Sequence, residues 1–116
     1  MGTGGHAIGR ARLVHLDPGS LAVAGAGPMG LGVLAMARLL LGAELPVYVA
    51  DLAPRRLALA ERLGGIPIDL RGEDLAAGLR RAGAARVDLA VDTGGRGAAR
   101  QALLAVLAGR GVLVCV

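Results

Sequence analysis

A glycine-rich turn, GAGPMG at residues 25–30, lies directly between the apolar run Leu21, Ala22, Val23, Ala24 and a second apolar stretch that runs to Leu41. A strand that turns sharply at Gly25 and feeds a helix starting at Pro28 sends that helix back over the sheet, so only small residues fit where the two backbones meet. Gly25 permits the tight turn, Gly27 clears a side chain so that backbone N–H groups can approach a bound anion, and Gly30 lets the helix lie close. Pro28 suits the first helical position, where a missing N–H costs nothing, and Gly42 suits the residue just past the helix end. Glycine makes up 20 of the 116 residues, so the motif draws its weight from this strand, turn and helix context.

The same turn is a phosphate cradle. Unpaired amides and the helix macrodipole favour negative charge at a helix N-terminus, and a pyrophosphate suits that position. Asp51 lies 26 residues beyond Gly25 at the end of the next apolar run, where a carboxylate can accept both hydroxyls of an adenosine ribose. The spacing exceeds the usual value of about 20, and the segment LLLGAELP takes up the difference. The residues therefore point to a dinucleotide. The charge of Asp51 would repel a 2′-phosphate, which favours NAD over NADP, while Arg55 and Arg56 nearby keep NADP open.

At 116 residues the chain has the size of one domain, with residues 1–19 forming a leading helix and turn and residues 20–116 a βαβ core. Hydrophobic residues make up 54% of it, yet Tyr48 is the only aromatic, so the core must be built from Leu, Val and Ala. Such a core suits helices packed on a buried parallel sheet. A net charge of +4 raises the question of nucleic acid, but all 13 basic residues are arginine and are spread over the predicted helices rather than gathered in a run. With no aromatic platforms, the pattern reads as solvated helix faces and not as a nucleic-acid surface.

Cys115 stands alone, flanked by Val114 and Val116, and is expected to be an inert residue of a buried strand. His6 and His15 lack metal-binding spacing, and no zinc site is expected in this chain. The uncharged run 21–37 contains four glycines and Pro28, too broken for a span that needs about 20 apolar residues. The N-terminus has no export signal, and a cytoplasmic location is expected.

Turn signals divide the chain into alternating strands and helices. A helix over residues 7–15 leads through Asp17, Pro18 and Gly19 into strand 21–24; helix 28–41 follows, then strand 47–50. A second crossover helix begins at Pro54, carries Leu57, Ala60 and Leu63 at helical spacing and stops at Gly64. Strand 66–68 precedes a helix that opens with Glu73 and Asp74, closes with Arg80 and Arg81 and buries Leu75 and Leu79. Strand 87–91 ends at Asp92, which reads as a cap for the next helix. That helix spans 97–108 with Leu103, Val106 and Leu107 inward, and a fifth strand covers 112–116. The expected fold is a three-layer α/β domain of the Rossmann-like type, with a parallel sheet of about five strands in the order 3-2-1-4-5 and helices on both faces. Residues 25–30 and 92–95 then flank the switch point between strands one and four, where ligands bind in open sheets.

The run GAGPMGLGVLAMARLLLGA, then VYVAD, PRRLALAERLGG, VDLAVDTGG and GRGVLVCV, resembles the nucleotide-binding domain of the zinc-type medium-chain alcohol and polyol dehydrogenases. The GAGPxG form is closest to the polyol, sorbitol and threonine dehydrogenase branch, and the likeness extends from about residue 7 to residue 116. It implies that Gly25, Gly27, Pro28, Met29 and Gly30 surround the pyrophosphate, that Asp51 holds the adenosine ribose with help from Arg56, and that Thr93 lies near the adenosine side. It also implies that the backbone at Val116 faces the nicotinamide. Arg55 and Arg56 read equally as solvated helix arginines, and Met29 as packing.

Family members carry their catalytic zinc ligands and proton relay in a preceding domain and continue past strand five into a sixth strand that commonly joins two subunits. None of that sequence occurs here, and no residue of this chain is assigned a catalytic role. The expectation is an NAD(H)-binding domain that is not catalytic alone, partnered by a missing catalytic domain or by a second copy through the edge of strand five. The alternative is a stand-alone nucleotide-sensing or protein-interaction module.

Overall fold

A computed structural model describes residues 19–94 and 97–116. The expected leading helix, the residues Asp17 and Pro18, both histidines and Gly95 lie outside them.

Strand β1 (Leu21–Ala24) is apolar at every position because both of its faces are covered. Leu21 and Val23 enter one core cluster, while Ala22 and Ala24 enter the other. This alternation follows from the two-residue period of a strand. Helix α1 (Pro28–Leu41) supplies Val33, Leu34 and Ala37 to the first cluster, and Gly42 follows its last turn as expected. Strand β2 (Val47–Asp51) pairs parallel with β1, placing Val47 opposite Leu21 and Ala50 opposite Ala24. Helix α2 (Pro54–Arg62) adds Ala60 to the first cluster.

Strand β3 (Ile66–Asp69) leads to helix α3 (Leu75–Arg81), whose Leu75 and Leu79 fill the second cluster. Asp74 caps this helix, its Oδ1 accepting from the Ala77 N–H at 2.7 Å. Glu73 stands one residue earlier and pairs with Arg81 in the last turn, and that guanidinium holds its carboxyl below the usual glutamate range. Strand β4 (Val87–Asp92), helix α4 (Gly97–Val106) and strand β5 (Leu107–Cys115) complete the chain. The five-stranded sheet has the order β3-β2-β1-β4-β5, with parallel pairs throughout. Helices α1 and α2 pack on one face, and α3 and α4 on the other.

Three expectations need correction. The last helix ends at Val106, and β5 begins at Leu107 rather than Val112. Val87 pairs with Leu107 and Leu89 with Val112, so the sheet ladder captures the segment across an irregularity, and Gly109 and Gly111 give a helix no support there. Leu107 still packs on the second cluster. Leu63 lies past the end of α2 and is 41% exposed, while Leu57 and Ala60 carry the buried stripe. Cys115 is exposed. Val114 and Val116 pack on the first cluster, but successive strand residues point to opposite faces, so their burial says nothing about the residue between them.

The end of β3 carries a pH-dependent pair. Arg71 donates to Asp69 through Nε at 3.0 Å and Nη2 at 2.7 Å, and these bonds hold the Asp69 carboxyl down at about 2 from the ordinary 3.8. A depressed carboxylate stabilises the fold above its unfolded pKa and loses that contribution as pH falls through the folded value. The melting-temperature advantage of the wild type over Asp69→Asn is therefore expected to shrink between pH 4 and pH 2. The pair is exposed, so the effect is small. An advantage that stays constant over this window would contradict the pairing.

Candidate nucleotide-binding site

The carboxyl ends of β1, β2, β3 and β4 open into one crevice of about 800 Å³. That size falls within the range of roughly 300–1,000 Å³ common for small-molecule sites. Ala24 and Gly25 line it from β1, Asp51, Leu52, Ala53 and Arg56 from β2 and the start of α2, and Leu70 and Leu75 from the β3 side. Gly94, Ala98, Ala99 and Ala102 close it from β4 and α4. The β1 and β4 ends meet here because β1 is the strand from which the connections depart in both directions.

The glycine turn is built as its spacing requires. Gly25 has φ +105°, a region L side chains rarely adopt, and its N–H donates to the Ala50 carbonyl at 2.8 Å. Gly30 sits against that turn: a Cβ there would overlap the Gly25 carbonyl oxygen and lie 2.7 Å from its carbon. The third glycine thus serves close approach of α1 to the turn itself as well as to Val23 beneath it. Gly27 is the N-cap residue of α1 and offers the helix no side-chain cap. A Cβ built on it would meet nothing nearer than the Arg56 guanidinium at 3.9 Å. The space beside Gly27, at the N-terminus of α1, is therefore clear of other protein atoms, whereas Gly27, Pro28, Met29 and Gly30 do not line the crevice itself.

Asp51 closes the other side of the turn. Its Oδ2 accepts from the Ala26 N–H at 2.6 Å and its Oδ1 from the Ala53 N–H at 2.9 Å. The carboxylate is 11% exposed, and Arg56 Nη1 stands 3.9 Å from Oδ2. Arg56 is itself well exposed, so it is both a solvated helix arginine and a cation at the mouth of the crevice.

Thr93 does not reach into the crevice. Its hydroxyl and its N–H both donate to the Ala24 carbonyl, at 2.9 and 3.2 Å, and hold the end of β4 over Gly25. Met29 points outward and is 40% exposed, and Pro28 beside it is exposed on the first turn of α1. Val116 donates its N–H to the Asp92 carbonyl at 2.9 Å, which fastens the end of β5 to β4.

Asp92 is not the cap of α4, which begins five residues later at Gly97. It is 1% exposed, and its carboxylate accepts from the Gly94 N–H at 3.0 Å and from Arg100 Nε at 3.3 Å. It holds Gly94 just after β4 and ties the end of the strand to α4. The sequence reading did not single out Arg100, nor the apolar walls made by Leu52, Leu70, Leu75 and the alanines of α4. Leu52, directly after the acid, was the one legible signal for them.

The fold is a Rossmann-type α/β domain with a crevice at the carboxyl ends of its strands, and the solved structures it resembles are alcohol and butanediol dehydrogenases, one of them described as an alcohol dehydrogenase zinc-binding domain protein. An alcohol dehydrogenase from Thermus sp. ATN1 is 32% identical, with a TM-score of 0.84, over 97% of this chain and 33% of that one. The 2R,3R-butanediol dehydrogenase of Bacillus subtilis is 27% identical, with a TM-score of 0.83, over 97% of this chain and 32% of that one. An alcohol dehydrogenase from E. coli CFT073, solved with NADH, shares the fold at 19% identity, a TM-score of 0.83 and the same coverage of 97% and 32%. The chain thus spans about one third of the length of these dehydrogenases. No protein-family model matches it, and no curated protein does. Among the described residues, no cluster of three or more His, Cys, Asp or Glu could hold a metal ion, and no helix is long and apolar enough to cross a membrane.

Proposed function

We propose that the chain binds NAD(H) and forms the cofactor-binding part of a cytoplasmic NAD-dependent alcohol or polyol dehydrogenase of the zinc type. The observation that carries this reading is the seating of Asp51 beside a glycine turn that leaves clear space at Gly27, the N-cap of α1. The first-turn amides of α1 above Gly27 would receive the pyrophosphate, with Pro28 and Met29 on the same turn. A carboxylate has about four acceptor sites, and backbone N–H groups take two of those on Asp51, which leaves two for the cis-diol of the adenosine ribose. Arg56 would lie over the same ribose, and the apolar walls would take the base.

NAD supplies a hydride acceptor when bound, and the protein must hold the substrate against it and handle a proton. Both tasks are assigned here to the two thirds of a dehydrogenase that this chain does not span. The residues described above bind and orient the cofactor.

Parallel calorimetric titrations with NAD and NADP test the reading. Saturable binding of NAD is expected, with NADP at least about tenfold weaker because its 2′-phosphate would come up against the Asp51 carboxylate. A protein silent toward both nucleotides would sink the proposal, and a preference for NADP would overturn the assignment of Asp51.

A further inference from the structure

We infer that Asp51 is also a positioning residue for the phosphate site: through its bond to Ala26 it sets the glycine turn that receives the pyrophosphate. The inference rests on the nucleotide-binding reading above and concerns how the site is held ready.

Two loops meet at this carboxylate. Ala26 is the middle residue between Gly25 and Gly27, and its N–H donates to Oδ2 at 2.6 Å, a charge-assisted bond. Ala53 precedes α2, and its N–H donates to Oδ1 at 2.9 Å. The two bonds fix the plane of the carboxylate from opposite oxygens, and they clasp the turn after β1 to the turn after β2. Gly25 and Gly27 leave the β1 turn with little side-chain restraint of its own, and their freedom is large. The clasp acts at the residue between them. It lies 11% exposed, where such a bond is stronger than at a free surface. Asp51 therefore bears on a bound nucleotide twice: at the ribose diol by direct contact, and at the pyrophosphate through the Ala26 amide.

The electrostatics make the two roles separable. A carboxylate beside a pyrophosphate repels it, so its removal would strengthen the binding of an anion that lacks the diol. Loss of the clasp acts the other way.

The test titrates the whole chain with ADP and with 2′,3′-dideoxy-ADP, which retains the pyrophosphate and the base but offers no ribose hydroxyls to Asp51. The wild type is expected to bind both. Asp51→Ala is expected to lose about tenfold in affinity for dideoxy-ADP, the worth of one charge-assisted hydrogen bond, and clearly more for ADP. Dideoxy-ADP affinity that is unchanged or raised in Asp51→Ala overturns the clasp and leaves the ribose role standing. A wild type that binds no nucleotide overturns the nucleotide reading and this inference with it.

Leu79→Ala, a truncation in the second core cluster, separates general destabilisation from positioning: it should lower the melting temperature and leave dideoxy-ADP affinity unchanged. If it weakens dideoxy-ADP as much as Asp51→Ala does, the effect is not positional. Should Asp51→Ala fail to fold, the wild type still answers. The Ala26 amide proton is expected to lie well downfield and to exchange slowly with solvent in NMR spectra, as a short bond to a carboxylate requires. An Ala26 amide that exchanges as fast as an exposed one overturns the inference.

Discussion

Gly30→Ala is expected to be the most damaging glycine-to-alanine change among the described residues, destabilising the protein by about 3 kcal/mol or more. The added carbon would overlap the Gly25 carbonyl oxygen, which belongs to the backbone and cannot swing aside as a side chain can. Relief requires α1 to lift off the turn, and α1 carries Val33, Leu34 and Ala37 into the core, so the lift would open the first cluster. A loss of this size corresponds to a fall of roughly 10 °C or more in melting temperature for a domain of this length. Gly72→Ala is the matched control, because a Cβ there meets nothing within 4 Å, and its effect should stay within about 0.5 kcal/mol. A Gly30→Ala protein that melts within a degree or two of the wild type would show that α1 does not press on the turn as described.

Asp51→Ala should lower the affinity for NAD by about a hundredfold, or roughly 3 kcal/mol. On the proposed reading, two hydrogen bonds from the ribose hydroxyls to a charged acceptor would be lost, together with the clasp on Ala26. The same change removes the charge that opposes a 2′-phosphate, so the preference for NAD over NADP should narrow. Isothermal titration of both nucleotides into the variant, at a temperature well below its melting point, reads the two effects together. NAD affinity within twofold of the wild type would mean that the ribose is held elsewhere.

Much of the site was legible in advance because its parts are governed by local rules. Pro28 at the first helical position and glycine at 25 and 30 answer to backbone geometry within a few residues of themselves, and they, with the acid at the end of the second strand, stand where expected. The strand order was likewise legible, since alternating strands and helices impose right-handed crossovers that leave few arrangements. Thr93 shows where local reading stops. The family resemblance implied a place for it near the adenosine, and its hydroxyl is spent on the Ala24 carbonyl; Asp92 was expected to cap the next helix, and its carboxylate accepts instead from Gly94 and Arg100. The Thr93 partner lies 69 residues away in sequence, and no pattern within one segment encodes it.

The misreadings at the end of the chain have the same origin. Apolar spacing alone could not decide between helix and strand for residues 107–111, and the available partner β4 decided it. Flanking valines could not place Cys115, because β5 is an edge strand and burial on one face of an edge implies nothing for the other.

By itself the sequence determined a strand, a glycine turn and a helix, since each of these is set by steric freedom and hydrogen-bond supply over short stretches of chain, and it put an acid one crossover later. Only the tertiary structure decided that the acid would grip the turn. Asp51 and Ala26 are 25 residues apart, and they meet because β1 and β2 pair in parallel with Ala24 opposite Ala50, which brings both strand ends to one edge of the sheet.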